Sequence, residues 1–162
     1  TGVGTTAPNG IVTSATAGVT AASQTVFTPD ELLTLLHSVD PAYRDAAFNC
    51  GWMSNDTTLL AIKKMKDGMG RYLFPEIRLP NPMHEGFPWH VNQQMATAAT
   101  TTIPVIFGAF RKYKVRLCAQ IRLRVLYERY AELDQTGFIA FVRFDGNLVD
   151  AGTHPIKKLT MA

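Results

Sequence analysis

The chain has 162 residues, 46% of them hydrophobic and 18% charged, with a formal net charge of +3. A length near one domain with that composition excludes wholesale disorder and supports a core without disulfides or metals. No run of about 20 apolar residues reads as a membrane span, and no signal peptide is visible.

Residues 1–25 include 18 from Thr, Ser, Ala and Gly. They read as extended or loop chain with a turn at Pro8-Asn9-Gly10. A start at Thr1 in glycine-rich turn sequence reads as a cleaved product or fragment with upstream elements missing.

The first helix signal follows. Thr28 is an N-cap, Pro29 suits the first helical position, and Glu31 completes a capping box. Leu32, Leu33, Leu35, Leu36 and Val39 recur at helical spacing until Pro41 stops the helix. Residues 47–53 read as a buried strand. Ser54-Asn55-Asp56 then caps a second helix from Thr57 to about Lys66, with Gly68 at its C-terminal side. Asn55-Asp56-Thr57 also spells a glycosylation sequon, which helix capping explains better. Residues 67–72 are turn chemistry. Pro80, Pro82 and Pro88 then break the chain, Trp89-His90-Val91 reads as a short strand, and Ile103–Phe107 as a buried one.

The last third alternates with period two. Tyr113, Val115 and Leu117 interleave with Lys112, Lys114 and Arg116; Ile121, Leu123, Val125 and Tyr127 with Arg122, Arg124 and Glu128. Phe138, Ala140, Val142 and Phe144 repeat the pattern. These are half-buried antiparallel strands by expectation. Asp145-Gly146-Asn147 reads as a hairpin turn, and Pro155 to Met161 as a final short strand. The order gives an α+β chain.

Charge is uneven. Residues 111–129 carry +6 and the rest of the chain −3. Such a stripe suits a solvated strand face, an acidic neighbouring subunit or nucleic acid. Chemistry-bearing motifs are nearly absent. His84-Glu85 and His90 lack zinc spacing and read as loop histidines. Gly2-Val3-Gly4-Thr5-Thr6 lacks the lysine of a phosphate loop, and no nucleophile elbow occurs. Cys50 and Cys118 both read as small buried hydrophobes. The expectation is a non-enzymatic protein with no metal, no cofactor and no membrane partner.

An ordered set of motifs resembles the major capsid protein of tailed bacteriophages and prophages, the Hong Kong 97 type. It comprises Gly2-Val3-Gly4-Thr5-Thr6-Ala7-Pro8-Asn9-Gly10-Ile11, Asp40-Pro41-Ala42-Tyr43-Arg44, Trp52-Met53-Ser54-Asn55 and Lys66-Asp67-Gly68-Met69-Gly70-Arg71-Tyr72-Leu73. Gly86-Phe87-Pro88, Phe107-Gly108-Ala109-Phe110 and Gly137-Phe138-Ile139-Ala140 continue it. The resemblance implies an axial domain, a small β-sheet flanked by helices, with a β-ribbon from the peripheral domain. Its expected divisions are a junction at 1–24, the axial domain at 25–117, the ribbon at 118–146 with its tip near 130–136, and a return to the axial sheet at 147–162. It implies a structural subunit of pentamers and hexamers in an icosahedral shell enclosing DNA. The expected location is the virion, after assembly in bacterial cytoplasm. Scaffold or protease are expected partners, and non-specific contact with packaged DNA is a further one. The family's amino-terminal arm, extended loop and spine helix would all precede Thr1, so assembly of this chain by itself is expected to be weak or absent. Thr136-Gly137 stands where a crosslinking asparagine would be sought, so no crosslinking residue is assigned. Candidate intersubunit contacts are Arg122, Arg124, Arg129, Tyr130, Glu132 and Asp134. Alternatives are a nucleic-acid-binding β-ribbon module and an encapsulin-like compartment shell.

Overall fold

The computed structural model describes every residue except Thr1, Thr6, Asp150, Ala151 and Thr153, and of Ala46 and Ala119 the backbone alone. The long stretch before the first capped helix is not all loop. It holds a one-turn helix α1 (Ile11–Ser14) and a strand β1 (Thr16–Thr20). Small residues hide this strand from pattern reading. Its backbone pairs in parallel with the last strand, β8 (Ile156–Thr160).

Helix α2 (Pro29–Ser38) starts as expected. The Thr28 hydroxyl accepts from the Glu31 amide, and the Glu31 carboxylate accepts from the Thr28 amide. Leu32, Leu35 and Leu36 face the core. A Cβ at Gly18 would lie 2.8 Å from Leu35 and Ser38, so glycine there lets α2 sit close to β1.

The expected strand at 47–53 is shifted. Ala46–Phe48 forms a 3-10 turn, and the strand β2 runs Cys50–Ser54. The Asp45 carboxylate accepts from the Ala47 amide, and this local turn wins over strand propensity. Helix α3 (Asp56–Lys63) is shorter than expected and ends at Lys64. Gly68 is not its cap. It lies in a tight turn in which the Gly70 amide donates to the Asp67 carbonyl and the Asp67 carboxylate accepts from the Met69 and Arg71 amides. Asn55 does cap α3, accepting from the Thr57 amide while its own amide donates to the Gln93 and Met95 carbonyls.

Strands β3 (Met83–His84), β4 (Phe87–Val91) and β5 (Val105–Ala109) follow. The buried strand thus begins two residues after the expected Ile103. The main sheet has six strands in the order β1-β8-β5-β2-β4-β3. Every residue of β5 is buried, as a central strand covered on both faces requires. On one side Phe107, Trp52, Trp89, Leu159 and the apolar faces of α2 and α3 form the larger core; on the other Ile106, Ile156, Met95 and Leu148 form a smaller one. Trp52 stacks on Trp89 at 5.2 Å, and both indole N–H groups are satisfied, by the His84 carbonyl and the Ser54 hydroxyl.

His84 and His90 are strand residues, not loop residues. His84 is 3% exposed, packed among Trp52, Phe74 and Trp89, and its Nε2 has no hydrogen-bond partner. Burial pushes its pKa below 6.5, with the carboxylates of Glu85 and Glu76 opposing that shift. A folded pKa below the unfolded one means the unfolded chain binds more protons in that window. Stability is therefore complete above about pH 6.5 and falls as pH drops towards the folded pKa. Thermal unfolding at pH 7.5 and 5.5 should show this loss, and His84→Phe should remove that part of it.

The remaining strands, β6 (Tyr113–Leu126) and β7 (Gly137–Leu148), form a separate two-stranded antiparallel ribbon. Two expectations fail here. Asp145-Gly146-Asn147 is not a turn but lies within β7, with Gly146 opposite Val115. Glycine leaves room for the Tyr113 phenol, whose hydroxyl would lie 2.5 Å from a Cβ there and donates to the Asn9 carbonyl. The strands are also not half-buried.

Candidate interaction surface

Register decides which side chains share a face of the ribbon. Leu117 stands opposite Phe144, Leu123 opposite Ala140, and Val125 opposite Phe138. These pairs, with Val115 and Val142, make one apolar face. Val115 is 67% exposed, Leu117 66%, Phe138 66% and Phe144 60%. The other face carries Lys114, Arg116, Arg122, Arg124 and Arg143, interleaved with Cys118, Phe141, Ile139 and Asp145. A free-standing two-stranded ribbon is marginal in water. This one also exposes a continuous apolar face, the signature of a surface that is covered in use.

Among the described residues the ribbon is anchored at its base. Tyr113, Phe110 and Leu148 join the smaller core beside α1, and the Asn9 side chain bonds that of Asn147. Midway the ladder breaks register, with three residues of β6 (119–121) set against Val142 of β7. Such a bulge bends its strand. Beside it lies an open concavity of about 900 Å³, lined by Cys118, Arg122, Arg124, Phe141, Val142 and Arg143 among others. Among the described residues no carboxylate pairs with these three arginines.

The six expected contact residues divide into two groups. Arg122 and Arg124 line the concavity. Arg129, Tyr130, Glu132 and Asp134 lie at the ribbon's tip, built on a 3-10 turn at Ala131–Leu133. The tip is held by the Tyr130 carbonyl, which accepts from the Leu133 and Gln135 amides, and by the Tyr130 ring lying over Gly137. Arg129 sits 5.8 Å from the Tyr130 ring. Asp134 has φ of 52°, a left-handed conformation that aspartate tolerates better than most residues. Arg143 was not among the expected residues. The alternation of β7 carries it, but only cross-strand register puts it beside Arg122.

Cys118, expected to be buried, is exposed on this cationic face, whereas Cys50 is buried as expected. Burial pushes the Cys50 thiol up to about 11. Among the described residues no group of three or more His, Cys, Asp or Glu side chains converges as metal ligands would. No helix among them is long and apolar enough to cross a membrane.

A profile of the phage capsid family matches residues 1–161. Solved structures match as well. The capsid of an empty GTA particle has 24% identity and a TM-score of 0.72, over 89% of this chain and 49% of that one. The capsid of a native GTA particle has 26% identity and a TM-score of 0.67, over 89% and 53%. A structure from Gordonia phage Cozz has 18% identity and a TM-score of 0.64, over 98% and 53%. The chain thus spans about half the length of these structures. No curated protein sequence matches it.

Proposed function

Because this chain belongs to the phage capsid family, we propose that it is the axial and ribbon portion of a major capsid subunit. That subunit assembles with copies of itself into the pentamers and hexamers of an icosahedral phage or prophage head that encloses DNA. The role is structural, without catalysis, and its place is the virion, assembled in the bacterial cytoplasm. The six-stranded unit corresponds to the axial domain and takes in β1, so the expected junction at 1–24 shortens to the residues before Thr16. The ribbon, at 113–148 by its ladder, belongs to the peripheral domain, and β8 returns to the axial sheet.

The observation that carries this reading is the exposed apolar face of the ribbon. Burying a side chain such as Leu or Phe is worth about 1.5–3 kcal/mol, so a face of this size is costly unless another protein surface covers it. A ring-forming subunit supplies such cover through head-to-tail contacts that close. Arg122 and Arg124 along the ribbon, and Arg129, Tyr130, Glu132 and Asp134 at its tip, are the proposed intersubunit contacts. A scaffold and a protease are proposed partners in assembly. None of the matches above is to a nucleic-acid-binding ribbon module or an encapsulin-like compartment.

The test is electron microscopy after expression of the whole gene together with its neighbouring genes. Uniform rings or shells are expected. A monodisperse monomer at high concentration, with no assembled species, would overturn the reading.

A further inference from the structure

Two parts of the ribbon are complementary in charge and in apolar surface. The tip carries Glu128, Arg129, Glu132 and Asp134, a net −2, around an apolar knob formed by Leu133, which is 66% exposed. The mid-ribbon concavity carries Arg122, Arg124 and Arg143, a net +3, around exposed Phe141. The eight residue steps of β6 from Cys118 to Leu126 span about 26 Å of extended strand. Leu133 of the tip therefore cannot reach Cys118 of its own chain.

We infer that the tip of one copy docks into the mid-ribbon concavity of the next, with Leu133 against Phe141, and Glu132 and Asp134 against Arg122, Arg124 and Arg143. This rests on the shell-subunit reading and names the contact within it. The occupant is a second copy rather than an unrelated acidic protein because the same chain supplies both halves. The other strands offer no competing row of carboxylates, since β1, β2, β4, β5 and β8 contain no Asp or Glu. Several body acids are already engaged with backbone amides, as Glu31, Asp40 and Asp67 are. Tip and concavity are different patches, so the contact is heterologous. Repeated around a symmetry axis it closes into a pinwheel. Charge pairs of this kind set register and partner choice more than raw affinity. The bulge thus acquires a role, since it shapes the seat that the neighbour's tip occupies.

The native Cys118 in the concavity offers a direct probe. Leu133→Cys places a thiol on the knob, and a disulfide requires Cα atoms within about 7 Å, which only a neighbouring copy can supply. Mild oxidation of the Leu133→Cys protein should give covalent dimers and higher species, which Cys118→Ala should abolish; Cys50 is buried and stays out of the exchange. Charge reversal is the second arm. Arg122→Glu with Arg124→Glu, or Glu132→Arg with Asp134→Arg, should each weaken self-association at least tenfold, and all four together should restore it. Assembled rings or shells that give no Cys118-dependent crosslink would overturn the inference while leaving the shell reading intact. So would a fourfold variant no better than either pair. Crosslinked species without any rings or shells would support this contact and count against the shell reading.

Discussion

Gly108→Val should cost about 4 kcal/mol of folding stability, a large share of the ~5–15 kcal/mol typical of a domain. Gly108 lies in the central strand β5 with φ of 151°, a conformation that side chains rarely adopt. A Cβ built there would lie 2.3 Å from the Pro155 carbonyl oxygen and 2.6 Å from the Ile156 Cα. Both neighbours are backbone, so neither can rotate aside. Backbone strain of this kind costs about 1–3 kcal/mol, and forcing extra atoms into a packed core costs about 1–3 more. The sheet must then open between β5 and β8, where the Ala109 amide donates to that same Pro155 carbonyl. Urea unfolding should show a lowered midpoint, with Gly108→Ala intermediate. Gly68→Ala is the control, because nothing lies within 4 Å of its built Cβ. Its stability should change by less than about 0.5 kcal/mol. Equal midpoints for the Gly68 and Gly108 variants would contradict this account.

Leu117→Asp with Phe144→Asp should leave the body folded and abolish assembly. These two residues face each other across the ladder and are mostly exposed in the single chain. Folding therefore loses little. Covering them on assembly is worth about 1.5–3 kcal/mol each, and a buried unpaired carboxylate adds a penalty of its own. At about 1.4 kcal/mol per tenfold, association should weaken by more than about a hundredfold. Electron microscopy of the whole gene product would find no shells, while the thermal midpoint of the body stays unchanged. Normal shells from the double variant would show that this face is not covered.

Much of the fold was legible where the chemistry is local. The Thr28–Glu31 capping box and the Asn55 cap use side chains adjacent to the amides they satisfy, so spacing reveals them. The ribbon strands were legible from alternation, but alternation alone does not say whether the apolar side is buried in the same chain. Leu117 and Phe144 wait for a surface elsewhere. Asp145-Gly146-Asn147 has hairpin chemistry, yet Gly146 is set by the Tyr113 phenol arriving from the facing strand. That is a tertiary constraint no local pattern contains. His84 reads as a loop residue because nothing in its sequence neighbours announces the two indoles around it. Arg122 and Arg124 stand out in sequence as a charged stripe, whereas Arg143, 21 residues after Arg122, joins them only through cross-strand register, whose bulge no single-strand pattern fixes.

The placement of β8 has a consequence for how the protein is made. It enters between β1, near the start of the chain, and the central β5, so the sheet cannot be completed until residues 156–160 have been synthesised. A chain released by the ribosome before residue 156 would hold β1 with no strand to pair and one open edge on β5. Unpaired edges of that kind are exposed to proteolysis and aggregation. Late insertion of an interior strand therefore works as a checkpoint, in which synthesis through residue 160 is the condition for having a body that can carry the ribbon at all.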